Sequence, residues 1–148
     1  MALSYHLVMI VDNRQLCDQR DIYREEYARH WNSTGANGAQ EVDVILCPTT
    51  PGCAPPHDCA RYWGYTAQWN LLDYPGAVFP VTFVDPASDV RDADYTPRNK
   101  HDRLNYDLYT GPERYAGAPV SLQLVGRRNF DEKVMAALRE IELAMGRK

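Results

Sequence analysis

The stretch from Trp63 to Val84 constrains this chain most, because two kinds of signal meet inside it. Aromatic and amide side chains stand at near-helical spacing through Tyr62, Tyr65, Trp69, Asn70 and Asp73, and an apolar run follows from Gly76 to Val84. A proline pushes the residue before it out of the α region, so Pro75 divides a short helix from a strand, with a turn across 72–75. A helix so rich in tyrosine and tryptophan has a packing face and polar tips that need partners. Such a helix suits a pocket wall or a subunit contact.

The flanking segments complete a small α/β pattern. From about Tyr5 to Trp31, apolar and aromatic residues recur between charged ones with no proline, which predicts a long helix. Its firmest turns carry Tyr23, Tyr27 and Trp31 four apart on one face. The β-branched run Val42 to Cys47 predicts a buried strand that ends in the turn residues Pro48 to Gly52. Ala54 to Asp58 continues as a stiff, proline-rich loop. The residues from Asp85 to Pro112 are polar and irregular, and the tyrosines at 95, 106 and 109 predict a surface cover that packs down. Pro119 to Val125 reads as a third strand, and a final helix from Asn129 or Asp131 to Met145 places Val134, Leu138 and Ile141 on one face. The expected fold is a single α/β domain over 1–148. It comprises a helical arm over 1–34 and, over 35–148, a small mixed sheet flanked by N- and C-terminal helices.

Composition narrows the class of partner. A chain of 148 residues is long enough to bury one core. The formal charge of −4 and the lack of a basic stripe exclude nucleic acid, which demands clustered lysine and arginine. The apolar run Leu7 to Val11 has no basic residue before it and stops at Asp12, so neither a signal peptide nor a membrane span is expected. A cytoplasmic chain is the expectation, with Cys17, Cys47, Cys53 and Cys59 as reduced thiols. Cys47, Cys53, His57 and Cys59 lack the tight pairs of a structural zinc site, so no metal and no cofactor is expected.

The order VDVILCPTTPGCAPPHDCARYWGYTAQWNLLDYPGAVFPV, then YTPRN, then GPERYAGAPVSLQLVGRRNFDEKVMAALREIE, resembles the C-terminal part of the amidase signature family. The likeness is closest to the fungal acetamidase or general-amidase branch, and YREEYARHWN fits it as well. The resemblance implies a hydrolase with a serine nucleophile, a second serine and a lysine, the serines lying in a Gly/Ser-rich stretch upstream of the matched part. No such stretch is present: the serines are Ser4, Ser33, Ser88 and Ser121, and the lysines are Lys100, Lys133 and Lys148. Without an activated nucleophile and an oxyanion cradle, amide hydrolysis loses its main sources of acceleration.

By position in the family, the Pro48 to Asp58 loop and the Tyr62 to Asp73 segment lie nearest the substrate cleft. His57 and Asp58 offer an imidazole and a carboxylate on a proline-flanked loop, and Tyr65 and Asp73 supply donors or acids, so these four are the catalytic candidates. Tyr62, Trp63, Trp69 and Asn70 are the substrate-binding candidates. The plainer expectations are that Asp58 caps the following helix, that Trp63 and Trp69 pack, and that Asn70 and Asp73 satisfy a turn. The leading functional expectation is a truncated, repurposed protein running a non-hydrolytic reaction (proton transfer, isomerisation or cyclisation) on a small molecule in a fungal metabolic pathway. The alternative is an inactive amidase fragment or subunit that binds and needs a partner for hydrolysis. Both imply a homo-oligomer or a partner subunit over the missing sheet surface.

Overall fold

The computed structural model describes the backbone of residues 2–147 and the side chains of residues 12–147. Four helices and three strands alternate along the chain: α1 (Ala2–Ser33), β1 (Ile45–Pro48), α2 (Gly64–Leu72), β2 (Gly76–Phe83), α3 (Lys100–Leu108), β3 (Pro119–Val125) and α4 (Asp131–Ala144). Single 3-10 turns at Ala36–Gly38 and Pro112–Tyr115 join them. The long first helix, the short aromatic helix, β2 and β3 fall close to where the sequence places them, whereas the first strand, expected buried over Val42 to Cys47, starts only at Ile45 and leaves Leu46 exposed. The expected inward residues Leu7, Val8 and Val11 lie outside the described side chains.

The α/β class holds, and the sheet order is β1-β3-β2. Both pairings are antiparallel, with Leu46 opposite Leu124 and Ala77 opposite the same residue on the other side. The expected mixed sheet is therefore antiparallel throughout. β1 and β2 run parallel to each other and are joined by a crossover through α2, and β3 inserts antiparallel between them. Pro80 sits within β2 because this is an edge strand, where a missing N–H breaks no ladder, and the register shifts just beyond it between Pro80 and Thr82.

One sheet face packs on α4 through Phe79, Leu124 and Val134, with Val44, Leu138 and Ile141 around them. Burying side chains of this size stabilises the fold by ~1.5–3 kcal/mol each. Gly126 lets α4 approach this closely, since a Cβ there would overlap the Val134 side chain. On the other side α1 meets α2 through aromatic edges: Tyr27 lies 6.2 Å from Trp69 and 5.8 Å from Tyr74, and Trp31 lies 5.7 Å from Tyr74. Arg24 reinforces this contact by donating from Nε to the Leu71 carbonyl at 2.7 Å. Among the described residues the last turns of α1 engage the body in this way, and Leu16 and Ile22, upstream on the same helix, remain exposed.

The segment after β2 differs from expectation, because it contains α3. Asn99 caps that helix by accepting from the N–H groups of His101 and Asp102, both at 3.0 Å, and Asp102 reaches back to accept from Arg98 N at 2.8 Å. This reciprocal capping satisfies donors that a helix start otherwise leaves free. The cap supports a polar nine-residue helix that has no buried residue. Asp58, by contrast, caps nothing: it adopts φ 60° in a turn closed by Cys59 N to Pro56 O, and α2 starts six residues later without a side-chain cap.

Candidate functional site

A pocket of about 790 Å³ opens between the 50–62 loop, the end of β2 and the segment 85–109. Its floor is apolar, with Val84 and Val120 from paired strands. Its far wall is made by Tyr95, Tyr106, Tyr109 and Tyr115, which stack in two tilted pairs: Tyr95 and Tyr106 have centroids 5.4 Å apart, and Tyr109 and Tyr115 are 5.0 Å apart. The wall is anchored to the sheet, since Val84 N donates to Ala118 O and Gly117 N donates to Val84 O, both at 2.9 Å. Arg91 braces it from behind, its guanidinium 4.0 Å from the centre of the Tyr106 ring.

Burial raises the phenols of Tyr109 and Tyr115 and the thiol of Cys53 above their ordinary ranges. All three therefore stay protonated at neutral pH and act as neutral lining. Asp102 behaves oppositely. The Arg98 N–H and then the Tyr95 hydroxyl hold its carboxyl below the usual value, so it is an anion at the pocket wall.

Of the eight site residues expected from sequence, Tyr62 alone lines this pocket. Its ring folds back over Gly64, between Tyr65 at 5.8 Å and His101 at 5.6 Å. Trp63, 64% exposed, begins α2, and Tyr65 stands exposed in its first turn. Trp69 is half-buried against Tyr27, while Asn70 is exposed and its carbonyl accepts from Asp73 N. Asp73 closes α2 in the left-handed region and pairs with Arg128 at 2.8 Å. His57 and Asp58 lie exposed on their turn, outside the pocket lining. Among the described residues no three His, Cys, Asp or Glu side chains gather as a metal site, and no helix is long and apolar enough to cross a membrane.

The residues that sequence reasoning left out of the site are Cys53, Tyr109 and Tyr115. The signal available was the tyrosine content of an otherwise polar excursion, which pointed to a cover but not to the cavity beneath it.

Ser88 is the lone serine in the pocket lining, and its hydroxyl donates to Asp85 Oδ2 at 3.2 Å, while no lysine lines the pocket. Fold and site together define a small α/β scaffold with a ligand-sized aromatic pocket whose lining holds no serine–lysine pair. The chain belongs to the amidase family, which matches residues 2–135. It is 50% identical over 127 residues to the amidase-family protein C550.07 of Schizosaccharomyces pombe, covering 86% of this chain and 22% of that protein. It is 37% identical over 124 residues to an acetamidase of Emericella nidulans, covering 84% of this chain and 22% of the relative. Among solved structures, fatty acid amide hydrolase matches with a TM-score of 0.78 and 36% identity, over 92% of this chain and 23% of that one. The chain thus spans about a quarter or less of the length of these relatives, and the part it matches is C-terminal.

Proposed function

We propose that this chain supplies a substrate-cleft wall to an amide hydrolase whose serine nucleophile and lysine lie outside the sequence. One observation carries the reading: a 790 Å³ pocket of the volume small-molecule sites occupy, built inside the region that matches amidases, has no free serine and no lysine in its lining. Such a site can orient an amide and exclude water from it. It lacks the second serine and the lysine that the family resemblance implies for attack on the carbonyl. The test combines the purified chain with a relative shortened to lack the matched segment, and follows ammonia release from simple amides. Turnover is expected from the combination. Hydrolysis by the chain alone would sink the proposal.

A non-hydrolytic proton transfer is the second reading, supported by an imidazole and a carboxylate that adjoin on the exposed turn at His57 and Asp58. On this reading His57→Ala abolishes isomerase or cyclase turnover and leaves the thermal midpoint nearly unchanged. Activity that survives the change would remove His57 from the chemistry.

A further inference from the structure

Of the five tyrosine rings that line the pocket, the four of the far wall have their hydroxyls engaged elsewhere. Tyr95 donates to Asp102 Oδ2, Tyr106 to the Asp92 carbonyl and Tyr109 to the Asp89 carbonyl, each at 2.7 Å, and Tyr115 donates to the Leu108 carbonyl. A phenol whose O–H is already committed presents a ring, not a donor. A ring recognises flat apolar groups by offset or edge contact.

The lining carboxylates have local duties too. Asp85 accepts from Ala87 N and from the Ser88 hydroxyl, Asp89 accepts from Asp85 N at 2.8 Å, and Asp102 serves Tyr95 and Arg98. These bonds fix their positions without neutralising their charge. Among the lining residues Arg61 is the single cation against Asp85, Asp89 and Asp102. An anionic ligand would meet net repulsion from these carboxylates, of which Asp85 and Asp89 are exposed and Asp102 is partly covered.

Resting on the reading of this pocket as an amidase substrate cleft, we infer that it takes the aryl or branched-alkyl part of an uncharged amide and rejects an amide that bears a carboxylate there. The volume agrees, since about 790 Å³ is far more than a two-carbon amide fills.

Cys53 gives the experiment its readout, because its thiol lines the same pocket while Cys17 is exposed on α1. The chain is treated with N-ethylmaleimide at mildly alkaline pH, and labelling of each cysteine is followed by peptide mass spectrometry. Benzamide at twice its dissociation constant should slow Cys53 labelling about threefold and leave Cys17 unchanged, whereas 4-carbamoylbenzoate at that concentration should protect neither. Val90 is exposed and part of the lining, so Val90→Lys adds a cation without touching the core and should make 4-carbamoylbenzoate protective. Equal protection by the two amides in the native chain, no protection by benzamide, or a Val90→Lys chain that still ignores the carboxylate would overturn the inference. Hydrolysis plays no part in this experiment. A chain that binds benzamide but never supports turnover would remove the amidase reading and keep the pocket assignment, and turnover without protection would do the reverse.

Discussion

Gln123, in the central strand, donates from Nε2 to the carbonyl of Tyr65 at 2.7 Å, joining β3 to the first turn of α2 across 58 residues of chain. The same nitrogen donates to the Pro48 carbonyl at 2.8 Å, so one side chain ties the sheet to both segments expected near the cleft. Gln123 is 4% exposed, and both bonds are part-buried. Gln123→Leu keeps the size and removes both donors. It should lower stability by ~1–3 kcal/mol, read as a shifted urea midpoint at constant slope, because each such hydrogen bond contributes ~0.5–1.5 kcal/mol. An unchanged midpoint would mean that the link is not structural.

The two tryptophans at the α1–α2 contact should separate cleanly. Trp31 is 3% exposed and donates from Nε1 to the Val42 carbonyl at 2.8 Å, whereas Trp69 is only half-buried. Trp31→Ala should therefore cost ~3–5 kcal/mol by thermal or urea unfolding, and Trp69→Ala markedly less. Equal losses would imply that α1 closes over Trp69 more fully than the structure has it.

The strands and the aromatic helix were legible because period and punctuation agree there. Pro75, the run from Gly76 and the tyrosines four apart on α1 each point to one local answer. Helix α3 was not legible, since its stability comes from the Asn99 and Asp102 caps and from tyrosines that reach Asp89 and Asp92, contacts without a period. The pocket was legible only through its walls. The Pro48 to Asp58 loop and Tyr62 were placed near a cleft by resemblance to amidases, but the opposing rings come from residues 33 to 53 positions after Tyr62, and loop closure over that distance leaves no local trace.

Acid should loosen the tyrosine wall before the core. Asp102 has a folded pKa below its ordinary 3.8, so its contribution to stability is present above that value and is lost as pH falls through the lower, folded one. Protonation weakens acceptance from Arg98 N and the Tyr95 hydroxyl, which hold the start of α3. Amide protection in the 98–106 region is expected to fall below pH 3.8 while that of β3 persists. Asp102→Asn should abolish that local pH dependence. If the whole chain unfolds in one step over the same range, the cap is not what titrates.

Self-association follows from how the sheet ends. The order β1-β3-β2 leaves both outer strands with a free edge among the described residues, and Val78 and Phe83 on β2 are 61% and 55% exposed. Pro80 and the register shift beside it blunt the upper part of that edge, so the stretch 76–79 is the open part. An unpaired strand with an exposed valine recruits another strand or an apolar cover. Light scattering at micromolar concentration is therefore expected to give a mass above that of the 16.9 kDa chain. Val78→Lys should return it to the monomer mass without changing the far-ultraviolet circular dichroism, because a charge on an edge strand opposes pairing while leaving the ladder to β3 intact. A native chain that stays monomeric would mean that a second copy of this segment is not the cover, and co-expression with a shortened relative would then be the way to supply one.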